Sequence, residues 1–84
     1  MRNLLPEQCR AARGMLDWSQ ARLAALAGVS RSTVRDFECR RHALHRATEA
    51  MLIKTFENAG VRLIFNRQEP GVRLRKDWSG ASER

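Results

Sequence analysis

The chain has 84 residues, 43% of them hydrophobic and 30% charged, with sixteen Lys and Arg against nine Asp and Glu and a formal net charge of +7. That length holds one small domain with a modest core. No run nears the roughly 18 apolar residues a bilayer span needs, and the two cysteines, Cys9 and Cys39, make no disulfide framework and read as cytoplasmic thiols. Fourteen of the sixteen cations are arginines, whose planar donor fork suits phosphates and guanine edges. The balance favours a polyanionic partner, nucleic acid ahead of a membrane surface, although an arginine-rich coding background would give the same composition.

The first helix is expected from Pro6, a residue suited to an opening turn. Glu7 follows where the helix dipole favours an anion, and Cys9, Ala12 and Leu16 form an apolar stripe at helical spacing. Asp17 and Trp18 break it. Trp18 reads as a core plug between the first two helices, with stacking on a base as the alternative. Ser19 is a good N-cap for a second helix whose apolar set is Leu23, Ala24, Leu26 and Ala27, and Gly28 stops it. Ser30 caps a third helix to about Cys39, with Val34 and Phe37 buried. Two short helices joined by a glycine-containing turn are the outline of a helix-turn-helix, here in residues 19–39.

Residues 40–45 read as a loop and Arg46 to Ala59 as a fourth helix with Leu52, Phe56 and Ala59 inward. Val61, Leu63 and Phe65 alternate with Arg62 and Ile64, a strand pattern. Pro70 and Gly71 mark a turn, and Val72 and Leu74 alternate with Arg73 and Arg75 in a second strand. A lone hairpin is marginal in water, so this one must pack on the fourth helix or on another subunit, with Trp78 as a possible anchor. The expected organisation is a helical domain over residues 1–60, a hairpin extension over 61–76 that packs on it or mediates dimerisation, and a flexible tail over 77–84.

Trp18-Ser19-Gln20, then Gly28-Val29-Ser30-Arg31-Ser32-Thr33-Val34 and Phe37-Glu38 resemble the Cro/repressor-like (Xre-type) helix-turn-helix regulators. Ala59-Gly60-Val61 and the run Gly71 to Lys76 resemble a compact single-domain subgroup of them. The resemblance implies a mainly α, four- to five-helix lambda-repressor-like domain with a short C-terminal β-hairpin. It implies a sequence-specific regulator of transcription, a repressor, bound to double-stranded DNA as a homodimer with the third helix in the major groove. Such a protein would be cytoplasmic and associated with the bacterial nucleoid when bound.

Carried over by position, Arg31, Ser32 and Asp36 face the bases. Arg31 can fork onto guanine O6 and N7. Asp36 can accept from cytosine N4 or else only orient Arg31 or Arg35. Ser19, Gln20, Thr33, Arg35, Arg40, Arg41 and Arg46 fall where the backbone runs, the N-terminus of the second helix adding its amides. The chain departs from the family at Arg22, where an acid usually completes a capping box with the Ser cap. It departs again at Cys39-Arg40-Arg41, where relatives often carry glycine. Glu49 falls where relatives tend to be apolar and Ile53 where they tend to be polar, which suggests a shifted or dimer-facing surface on the fourth helix. Ile64, on the strand face opposite Val61 and Leu63, is the second expected dimer residue.

Cys39, His42 and His45, with Cys9, have a spacing that hints at metal, but no zinc pattern matches, so neither metal nor cofactor is expected. Nor is there a Ser-His-Asp set, a phosphate-cradling glycine loop or a carboxylate cluster, and the chain reads as a non-enzyme. The rival reading is a protein-interaction module on the same scaffold, an antitoxin or an antiactivator that docks a larger protein.

Overall fold

The structure is a computed structural model and describes residues 3–75; the expectations for Trp78 and for residues 77–84 lie outside them. Four helices precede a two-stranded antiparallel sheet: α1 (Pro6–Leu16), α2 (Gln20–Ala27), α3 (Arg31–Glu38), α4 (Arg46–Asn58), β1 (Val61–Ile64) and β2 (Gly71–Leu74). This is the mainly α helix-turn-helix architecture with a C-terminal hairpin that the sequence implied.

Local chemistry sets most of the boundaries. Pro6 opens α1 without wasting a backbone donor, and the Gln8 side chain accepts from the Leu5 N–H at 3.0 Å. Asp17 closes α1 in the left-handed conformation (φ 59°), which Asp tolerates better than most residues. Ser19 Oγ accepts from the Arg22 N–H at 2.9 Å and Ser30 Oγ from the Thr33 N–H at 3.1 Å. Each satisfies a donor that its helix leaves orphaned, and Ser19 does so without the missing acid. Gly28 (φ 75°) closes α2 with its N–H on the Ala24 carbonyl at 2.9 Å, the left-handed stop that glycine permits.

One core joins all the elements. Leu23, Val34, Leu52, Phe56 and Val61 are fully buried within it. Trp18 packs on its edge and stacks on Phe56, ring centroids 6.1 Å apart and planes 19° from parallel, which supports the plug reading. The buried stripe of α4 includes Leu52, Ile53 and Phe56, and Glu49 falls one turn before Ile53 on the same side. Ile53 is therefore a core residue, 3% exposed, and the expectation that it faces a dimer partner is corrected. Glu49 sits at the core's rim, where its Oε2 accepts from the Leu4 N–H at 2.7 Å. The two family departures on α4 thus have one explanation: the carboxylate anchors the N-terminal segment, and the isoleucine fills the interior beside it. Leu26 is corrected the other way. It stands at the edge of the α2 stripe and is 48% exposed, beside a furrow lined by Trp18, Thr55, Asn58 and Ala59.

The hairpin register pairs Val61 with Leu74, Arg62 with Arg73, Leu63 with Val72 and Ile64 with Gly71. Val61 and Leu63 face inward and belong to the common core, with Val72 and Leu74 packed against it. Buried Gln8 fastens the open end: its Nε2 donates to the carbonyls of Ile64 at 2.7 Å and Gly71 at 3.0 Å, one on each strand. The turn between the strands is organised by Asn66, whose side chain accepts from the N–H groups of Gln68 and Glu69, an Asx turn. Pro70 and Gly71 lead into β2 and do not form the turn.

Candidate nucleic-acid interface

The first turn of α3 stands at the surface. Arg31 and Ser32 are exposed, and Arg31 forms no ion pair among the described residues. No acid lies in that turn. Ser30 gathers the neighbouring hydroxyls, with its Oγ 3.2 Å from Ser32 Oγ and 2.7 Å from Thr33 Oγ1. Both hydroxyls are thereby drawn toward the cap, and Arg31 is the long side chain of the turn without an ion pair among the described residues.

One turn further on, Arg35 Nε lies 3.3 Å from Asp36 Oδ1. Of the alternatives left open for Asp36, holding Arg35 is the one with a contact. Asp36 also fixes the exit from the helix, its carbonyl accepting from the N–H groups of Arg41 at 2.8 Å and His42 at 3.3 Å.

The segment after α3 carries Arg40, Arg41, His42 and His45, followed by Arg46 at the start of α4, and all five are exposed. Arg40 takes the left-handed conformation (φ 63°), within the segment where the resemblance leads one to expect glycine, and that conformation costs a residue with a Cβ about 1–2 kcal/mol. Its guanidinium pairs with Glu7 at the start of α1, and this hydrogen bond, ahead of Glu7's own backbone N–H, holds the carboxyl below its usual range. Arg41 and Arg46 form no ion pair among the described residues.

The other end of α3 is closed by a network that the sequence reading missed. Glu38 is 4% exposed. Arg13 from α1 grips it with both arms of its fork, Nε to Oε2 at 2.8 Å and Nη2 to Oε1 at 2.7 Å. The third arm, Nη1, donates to the Trp18 carbonyl at 3.0 Å, in the link between α1 and α2. The Cys9 thiol donates to Oε2 at 3.0 Å, Gln20 Nε2 donates to Oε1 at 3.0 Å, and Arg10 donates to the Glu38 backbone carbonyl. One carboxylate thus ties three helices together, and each of its oxygens has two partners.

Burial works against the charge of Glu38, but the hydrogen bonds from Arg13, Cys9 and Gln20 outweigh it, so its pKa lies below the usual glutamate value. Burial, and then Glu38 itself, push the Cys9 thiol far above the ordinary range and keep it protonated as a donor. The signal was present in the sequence. Glu38 continues the buried stripe of Val34 and Phe37, and a carboxylate on an apolar stripe needs a buried cation. Arg13 lies one turn after Cys9 on the edge of the α1 stripe.

Gln20, expected at a phosphate, therefore has a structural partner first. Its amide carries a second N–H, and Gln20 is only half-buried at the first position of α2, beside the amides that Ser19 leaves uncapped. Cys9 is committed to Glu38, and no three His, Cys, Asp or Glu side chains gather at a metal-sized site among the described residues. No helix among them is long and apolar enough to cross a membrane.

Residues 10–38 match the protein-family model described as Helix-turn-helix. That span runs from Arg10 through both turn-forming caps to Glu38, so it contains the whole buried network apart from Cys9. No curated protein matches the chain. With the caps, the glycine turn and the exposed third helix in place, residues 10–38 form a helix-turn-helix, similar to the DNA-binding element of the Cro/repressor-like (Xre-type) regulators.

Proposed function

We propose that the protein is a sequence-specific repressor that sets the first turn of α3 into the major groove of double-stranded DNA. The reading rests on Arg31: an exposed guanidinium with no ion pair among the described residues, on a turn without acids. A guanine edge offers two acceptors that match its fork. Ser32 and Asp36 flank that contact, Asp36 chiefly by orienting Arg35. Ser19, Gln20, Thr33, Arg35, Arg40, Arg41 and Arg46 hold the two phosphate strands and set register and salt sensitivity. The protein acts as a homodimer on half-sites about 34 Å apart. In this reading residues 1–60 form the DNA-binding domain and 61–76 an extension of it, and neither a cofactor nor catalysis takes part.

The operator is first selected from a random pool, and gel shifts then compare variants on it. Arg31→Ala should weaken operator binding by about 1–3 kcal/mol and relax preference at one base position. Arg41→Ala should weaken all duplexes alike. Unchanged base preference in Arg31→Ala removes Arg31 from the readout.

A second reading, a module that docks another protein, draws on Leu26 and Met51, the large apolar side chains about half exposed. Such a module without DNA contact would wash from immobilised duplex at moderate salt, where a DNA binder stays.

A further inference from the structure

The outward face of the hairpin carries charge that neither α3 nor the core uses. Arg62 and Arg73 are direct cross-strand partners, and both are exposed. Strand alternation puts exposed Arg75 on the same face. Like charges directly opposite one another destabilise a sheet, whereas Thr or Val at such positions stabilises it. Neither Arg62 nor Arg73 forms an ion pair among the described residues. Glu57 shares a furrow with Val61, Arg62 and Arg75, so a carboxylate is present, but three guanidiniums outnumber it. The face thus keeps a repulsive pair that the hairpin would fold better without.

The character of the face narrows what can cover it. A second copy docked face to face would set the arginine pair against its own image, since an isologous contact repeats the same patch. Ile64, half-buried beside Arg62 on this face, is therefore poorly placed as the centre of a dimer contact. A row of phosphates supplies the opposite charge at regular spacing, and Arg binds phosphate through two parallel hydrogen bonds.

We propose that the outward face of the hairpin, centred on Arg62 and Arg73 and flanked by Arg75, is a second DNA contact that grips backbone phosphates without reading sequence. It shares its ligand with the function proposed above but none of its residues.

The test measures how binding of the full chain to a random-sequence duplex varies with salt. Arg62→Thr/Arg73→Thr removes two phosphate contacts, so the slope of log K against log salt should become shallower by about 2, with weaker binding at every salt concentration. Arg62→Lys/Arg73→Lys keeps the charge and should keep the slope. The melting temperature of the Thr pair should hold or rise, because the like-charge pair is gone and threonine favours strands, so lost binding cannot be put down to lost fold. An unchanged slope in the Thr pair overturns the proposal. So does a loss confined to immobilised polyglutamate with duplex binding intact, which would assign the face to an acidic protein. Arg31→Ala run alongside separates the two readings: altered base preference there with an unchanged Thr pair defeats the hairpin contact alone, and the reverse defeats the α3 readout alone.

Discussion

The two ends of α3, one eight-residue helix, are built on opposite principles. At its C-terminal end a carboxylate is buried and every lone pair has a partner: Arg13, Cys9 and Gln20 surround Glu38. At its N-terminal end a guanidinium is exposed without an ion pair among the described residues. A buried charge is tolerated only when fully compensated, so the inner end tolerates few substitutions and holds α3 against α1 and α2. An exposed charge costs little to leave unpaired, so the outer end can be kept available for a ligand. The inner end gives the outer end its rigidity, as the base contact proposed for Arg31 requires.

Breaking the inner end gives the largest expected effect. Glu38→Gln leaves Arg13 without its counter-charge, and such losses run to about 3–5 kcal/mol; because Arg13 is partly exposed, the low end, about 3 kcal/mol, is expected in thermal or urea unfolding. The effect depends on pH. The folded-state pKa of Glu38 is depressed, so its contribution is complete above the unfolded value of about 4.3 and is lost as pH falls through the lower, folded value. The gap between wild type and Glu38→Gln should therefore be constant near neutrality and shrink in acid. A gap independent of pH would show that the carboxylate's charge is not what holds the three helices.

Ser30→Ala sharpens the comparison at the other end. Loss of the cap should cost about 1 kcal/mol, and it frees the hydroxyls of Ser32 and Thr33 that Ser30 now holds. Operator affinity should fall by more than the affinity for random duplex. Equal losses on both would mean that the cap serves stability alone.

Arg40→Gly, between the two regimes, has the smallest expected effect. Glycine relieves the left-handed strain at φ 63° but is more flexible when unfolded, and the surface pair with Glu7 contributes little. The net gain should be under about 1 kcal/mol, with a slightly shallower salt slope for DNA binding. A destabilised variant would show that the Glu7 contact outweighs the backbone strain.

Much of the fold was legible because its determinants are local. Ser19, Gly28 and Ser30 fix helix ends through the backbone next to them, and the alternation from Val61 onward could only be a strand. The exposed first turn of α3 was expected from the resemblance, which carries Arg31 and Ser32 onto an outward-facing position. The fate of Leu26 and Ile53 was not readable, because both sit near the edge of a helical stripe and only the docking angle of the neighbouring helix decides which is covered.

Residue order alone marks where the helices begin and end, the helix-turn-helix outline in residues 19–39, and an excess of cations over anions. That Glu38 meets Arg13 across 25 residues, that Glu49 ties down Leu4 and that Gln8 clasps both strands of the hairpin emerged from the packing of the helices. Caps and periodicities act between near neighbours and leave their mark in a short window of sequence. A buried polar group instead takes whichever partner the packed helices bring within reach, and that is settled only once the core has formed.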